Sequence, residues 1–60
     1  MLHEFRRAIN RGTVVKTQQF TTCEGNYRID LIRFEDQIYF IKYKGDQIVE
    51  CCNLSKMKVR

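Results

Sequence analysis

Three cysteines, one histidine and seven carboxylates are the residues of this 60-residue chain whose types could support chemistry. Cys51 and Cys52 stand side by side in "QIVECCNLSK", and Cys23 is the third thiol. Neighbours on a strand point to opposite faces, so this pair cannot turn together toward one tetrahedral ion without the strand breaking. A bond between them would close a strained ring, whereas Cys23 could reach one of them if the outer strands meet. The simplest reading makes one cysteine a small core hydrophobe and the other a half-exposed thiol. An odd number of cysteines also argues against the paired frameworks of small secreted domains.

His3 lies at the start of the chain with no serine or cysteine placed as its nucleophile, and the carboxylates fall on turns and strand edges. There is no glycine-rich phosphate loop, and a chain this short has little depth for a water-excluding pocket. No catalytic residue, metal site or cofactor is expected, and the chain reads as a binding module rather than an enzyme.

Binding chemistry has more support. The net charge is +4 but unevenly placed: residues 1–16 carry Arg6, Arg7, Arg11 and Lys16 against Glu4, and residues 55–60 carry Lys56, Lys58 and Arg60. The middle is mildly acidic, with Arg28, Arg33, Lys42 and Lys44 against six carboxylates. If the basic ends share one side of the fold, that side attracts phosphates or an acidic protein surface. Tyr27, Tyr39 and Tyr43, near Lys42 and Lys44, have the composition of a base-stacking platform, but the tyrosines fall on the apolar face and the lysines on the other, so core filling with hydroxyls at the rim is the stronger reading. The candidate nucleic-acid residues are therefore Arg6, Arg7, Arg11, Lys16, Lys42, Lys44, Lys56 and Lys58.

The elements that must position these residues are legible from periodicity. In "LHEFRRAINR", Leu2, Phe5 and Ile9 recur at helical spacing beside Ala8, predicting a short amphipathic helix over residues 2–11, with Gly12 as a left-handed cap. From Thr13 the chain is β-branched and punctuated by turn residues, predicting strands over 13–22, 27–34, 38–44, 47–53 and 56–59. The expected fold is α+β: an N-terminal helix followed by four or five antiparallel strands in one small domain. With "EDQ" as a three-residue loop, Tyr27, Ile29, Leu31, Tyr39, Ile41 and Tyr43 share one apolar face. Ile32, Phe34, Ile38 and Phe40 then form a second apolar patch on the other face. One helix covers only one face, so the second patch implies a strongly bent sheet curled into a small barrel, or a subunit contact.

This order of elements resembles the Sm-like fold, a small barrel akin to the SH3-like ones, and most of all its bacterial Hfq branch. "FRRAINRGTVV" is similar to that family's helix and the basic entry to its first strand. Gly25, Asp36, Gln37, Ile38 and Ser55 match its glycine turn, the turn before its third strand and its closing "I-S". The resemblance implies a ring-forming RNA-binding protein in which the fourth and fifth strands pair between neighbouring subunits. The family's basic "Y-K-H" falls here on Glu50, Cys51 and Cys52, and Ile38 stands where an aromatic stacks on bases, so the usual RNA pocket is not implied.

No charged leader precedes an apolar stretch and no long apolar run exists, so neither a membrane span nor export is expected, and a cytoplasmic location is. The expected function is nucleic-acid binding, of RNA before DNA, through the basic helix and C-terminal tail of a self-associating chain. The competing expectation is a protein-binding regulator or inhibitor of a bacterial or viral kind, acting through its sheet face or a strand edge. A metal or redox module centred on the cysteines ranks below both.

Overall fold

A computed structural model describes residues 3–56. Helix α1 (His3–Arg11) leads into four antiparallel strands, β1 (Thr13–Thr22), β2 (Gly25–Phe34), β3 (Gln37–Lys44) and β4 (Gln47–Asn53), followed by a 3-10 turn, Leu54–Lys56. The strands form a meander in the order β1-β2-β3-β4, so the α+β expectation holds. The sheet is open among the described residues: β1 and β4 are its two edges and do not pair to close a barrel. Of the expected fifth strand, Lys56 belongs to the 3-10 turn and the remainder lies outside the described residues.

Helix α1 buries Phe5 and Ala8 and half-buries Ile9, leaving Arg6, Arg7 and Arg11 exposed, as the spacing predicts. It lies against Ile32, Tyr39 and Ile41, with Phe34, Tyr43, Ile48 and Cys51 packed around them. Phe5 meets Tyr39 edge to face at 5.5 Å, the arrangement that the ring quadrupoles favour. Each fully buried isoleucine, Ile32 and Ile41, contributes about 1.5–3 kcal/mol of transfer free energy.

Gly12 serves a purpose other than the expected cap. Its φ is not in the left-handed region, unlike those of Gly25 and Gly45. A side chain there would run into Ile32 Cγ2 and the Ala8 carbonyl, while its own N–H donates to that carbonyl at 2.8 Å. Close approach of helix to sheet, not backbone handedness, requires the glycine.

The central hairpin differs from expectation by one residue, and the difference reassigns both faces. Its loop has two residues, not three: Phe34 pairs with Gln37, and Glu35 and Asp36 both take positive φ, 53° and 64°. Such a turn matches the twist of the strands it joins. Side-chain period in a strand is two, so a slip of one exchanges the partners on each face. Tyr39, Ile41 and Tyr43 therefore share the helix-covered face with Ile32 and Phe34, whereas Tyr27, Ile29 and Leu31 share the other with Ile38, Phe40, Lys42 and Lys44.

The covered face also holds two buried polar side chains, Asp30 (7% exposed) and Asn53 (8%), both satisfied. Asp30 accepts from Thr17 Oγ1 at 3.1 Å and lies 3.3 Å from Arg28, whose guanidinium sits over Tyr43. Asn53 Nδ2 donates to Gln37 Oε1 and to Glu4 Oε2, and its Oδ1 accepts the Ser55 N–H at 2.9 Å. Ser55 Oγ in turn accepts the Ile38 N–H at 2.9 Å. This network ties the helix start, the β3 start and the 3-10 turn together, and each buried group left unpaired would cost about 1–3 kcal/mol.

Candidate nucleic-acid interface

No helix covers the second face of the sheet among the described residues, and the strand registers lay it out as a grid. One row reads Lys16, Leu31, Phe40, Cys52; the next Gln18, Ile29, Lys42, Glu50; the third Phe20, Tyr27, Lys44, Gln47. A β-bulge at Val15 creates this arrangement. Val14 pairs with Ile32, but the extra residue lets Lys16 pair with Leu31, sending Lys16, Gln18 and Phe20 to the open face. On β4 a second irregularity, between Glu50 and Ile48, returns Ile48 to the covered side.

At one end of the grid Phe20 and Tyr27 stack with centroids 5.4 Å apart and planes 16° from parallel. Lys42 Nζ lies 5.1 Å and Lys44 Nζ 5.9 Å from the Tyr27 ring centroid, a cation–π arrangement that places positive charge over an accessible aromatic pair. At the other end a groove of about 310 Å³ is floored by Ile29, Leu31 and Phe40, with Lys16, Gln18 and Leu54 around it. Among the described residues Lys16, Arg33, Lys42 and Lys44 occupy this face with Glu50, and Glu24 lies at its Tyr27 end, where the Tyr27 hydroxyl donates to Glu24 Oε1 at 3.4 Å. The face is apolar, aromatic and cationic together.

The expected nucleic-acid residues do not form one surface. Arg6, Arg7 and Arg11 are exposed on the helix, which covers the opposite side of the sheet. Lys16, Lys42 and Lys44 belong to the open face. Lys56 reaches back to the helix, 3.7 Å from Glu4 Oε1, and Lys58 lies outside the described residues. Of the three tyrosines, only Tyr27 joins the lysines; Tyr39 is buried in the core and Tyr43 packs against it. Tyr39 also has its phenol pushed above the ordinary value by burial and, secondarily, by the Glu4 carboxylate.

Sequence reasoning missed Phe20, Gln18 and Leu54. Phe20 had a signal: a two-residue turn at Cys23-Glu24 pairs Thr22 with Gly25 and so brings Phe20 opposite Tyr27. Leu54 had none, because its position follows from the Asn53 and Ser55 bonds.

The thiols divide as strand geometry requires. Cys51 pairs with Ile41 and packs on the core, Cys52 pairs with Phe40 on the open face, and Cys23 is exposed in its turn; all three are free. Among the described residues no cluster of His, Cys, Asp or Glu could hold a metal ion, and no helix is long and apolar enough to cross a membrane. Compared with protein-family models, with curated proteins and with solved structures, the chain gives no significant match.

Proposed function

We propose that this protein binds single-stranded nucleic acid, RNA in the first place, across the open face of its sheet. The observation that carries the reading is the stacked Phe20–Tyr27 pair with Lys42 and Lys44 beside it on a face no described helix covers. Unpaired bases offer π-faces to such rings and their phosphates pair with the lysines, a combination that tolerates any sequence. A duplex hides its base faces and gains nothing from the aromatic pair. The helix arginines lie on the other side of the sheet and contribute to the long-range attraction rather than to base contacts.

Affinity for an unstructured oligoribonucleotide, measured at low and moderate salt, tests this. Binding falls steeply with salt, and a duplex of equal length binds more weakly at the same salt. Equal affinity for duplex and single strand would remove the stacking element of the proposal.

Self-association belongs to the same proposal. Among the described residues five hydrophobic side chains are buried, a small core for an independent domain, and the Sm-like resemblance implies a ring. Light scattering on the purified protein settles the number of copies.

A second reading, a protein-binding regulator, rests on β1: all ten of its residues are exposed, Val14 and Val15 by about half. Its outer edge, unpaired among the described residues, is of the kind that accepts an extended segment from another chain. Binding to acidic proteins but to no nucleic acid would favour it.

A further inference from the structure

We infer that β1 is a self-pairing edge: two copies of this chain join antiparallel along residues 16–22, about a twofold axis at Gln19, and merge their sheets into one. The inference rests on the self-association reading and names its surface and symmetry, a closed pair in place of a ring. Edge strands are kept from pairing by shortness, charge, proline or bulges. On β1 these devices sit at one end, in the bulge at Val15 and the lone charge of Lys16. Residues 17–22 are threonine, glutamine and phenylalanine, exposed throughout and unpaired on their outer side among the described residues. Val14, Val15 and Phe20, three of the five exposed large hydrophobic side chains among the described residues, stand on this strand. The other edge, β4, is shorter, carries Glu50 and is interrupted between Ile48 and Glu50, near its middle.

The strand is complementary to itself in one register. Side chains opposite each other in an antiparallel pair lie on the same face, so the axis passes through a residue, and Gln19 is the midpoint of the regular stretch after the bulge. Gln19 then faces Gln19 of the second copy, amide to amide, each with a donor and an acceptor. Thr17 faces Thr21 of the second copy, a β-branched pair suited to strand neighbours. Lys16 faces Thr22, so the two ammonium groups stand about 20 Å apart, beyond a Debye length at physiological salt. The two Phe20 rings become diagonal neighbours within reach of each other, which runs the Phe20–Tyr27 stacks of both copies into one aromatic row. Pairing through the open faces has no such match, because it sets Lys16, Arg33, Lys42 and Lys44 against their own copies. A single strand edge buries less than the about 1,200 Å² of a standard interface, so the pair dissociates on dilution.

The test is sedimentation velocity of the purified protein over a range of concentrations, in reducing buffer and without nucleic acid. Wild type is expected to show a monomer–dimer equilibrium. Gln19→Lys sets two cations opposite each other at the axis and should weaken dimerisation about tenfold. Gln19→Glu should weaken it less, because Arg28 faces that position on β2. An equimolar mixture of the two variants should recover the wild-type equilibrium through a Lys–Glu pair, a recovery that a misfolded variant cannot give. A dimer indifferent to Gln19→Lys, a loss that the mixture does not recover, or an assembly of more than two copies overturns the β1 pairing and leaves self-association standing. A monomer at every concentration overturns both.

Discussion

The two faces of this sheet are alike in apolar content and differ in how their polar groups are held. On the covered face every buried polar side chain has a partner: Asp30 has Thr17 and Arg28, and Asn53 has Glu4, Gln37 and the Ser55 backbone. On the open face Lys16 and Gln18 border apolar side chains, and Lys42 and Lys44 stand over a tyrosine ring. A satisfied polar network rigidifies and specifies a fold, whereas cations beside exposed aromatics have the chemistry that suits an anionic, π-bearing partner. On the proposed reading, stability and binding fall to opposite sides of a single layer of strands.

The sharpest way to break that comparison is to truncate one isoleucine or leucine on each side. Ile41→Ala removes a fully buried side chain and should cost about 2–5 kcal/mol, a large part of what a chain this small has; urea denaturation measures it. Leu31→Ala on the open face should cost about 1 kcal/mol or less, because its contacts are half solvated. Comparable losses at the two positions would mean the open face is covered in solution.

Binding should respond in the opposite sense. Tyr27→Ala removes one stacking partner and should weaken single-stranded RNA by about 1–3 kcal/mol, roughly 5- to 150-fold, with a midpoint of unfolding close to wild type. Replacing Arg6 and Arg7 together by alanine should reduce affinity severalfold at low salt and by little at moderate salt, since those charges act at a distance.

A smaller effect concerns the turn that set the register. Asp36 holds a positive φ without being glycine, so Asp36→Gly should stabilise the hairpin by about 0.5–1 kcal/mol, seen as a higher urea midpoint with an unchanged slope. The smallest effect is confined to alkaline pH. The Tyr39 phenol is raised by burial from its ordinary value of 10.0, so its contribution is fully present below about pH 10 and is lost as pH rises toward the folded value. Tyr39→Phe lacks that ionisation, and the gap in melting temperature between wild type and variant should change only above about pH 10.

Element types are legible in the sequence because they rest on local patterns: helical spacing of Phe5, Ala8 and Ile9, β-branched runs, and turn residues at Gly25-Asn26, Glu35-Asp36 and Lys44-Gly45-Asp46, the first of which the structure shifts to Cys23-Glu24. The opposite faces of Cys51 and Cys52 followed from strand alternation alone. What was not legible was the pairing of neighbours. Glu35-Asp36 lacks the Asn-Gly or Asp-Gly signature that announces a two-residue turn, and one residue of loop length separated Tyr27 from Lys42 and Lys44 on paper while the structure unites them. The bulge at Val15, which directs Lys16 and Phe20 to the same face, has no glycine to mark it. The basic helix was read correctly as a helix, yet its charges stand on the side away from the aromatic pair. Two apolar faces imply a sheet curled into a barrel or a subunit contact; among the described residues the sheet is open and no helix covers the second face.

Side-chain NMR of the protein titrated with a short unstructured oligoribonucleotide tests the central claim most directly, because it reports both faces at once. The account predicts that the Phe20, Tyr27 and Phe40 ring signals and the Ile29 and Leu31 methyls shift in a saturable way while those of Phe5, Ile32 and Ile41 stay in place. Shifts concentrated on Arg6, Arg7 and Arg11, with the open-face aromatics unmoved, would contradict it.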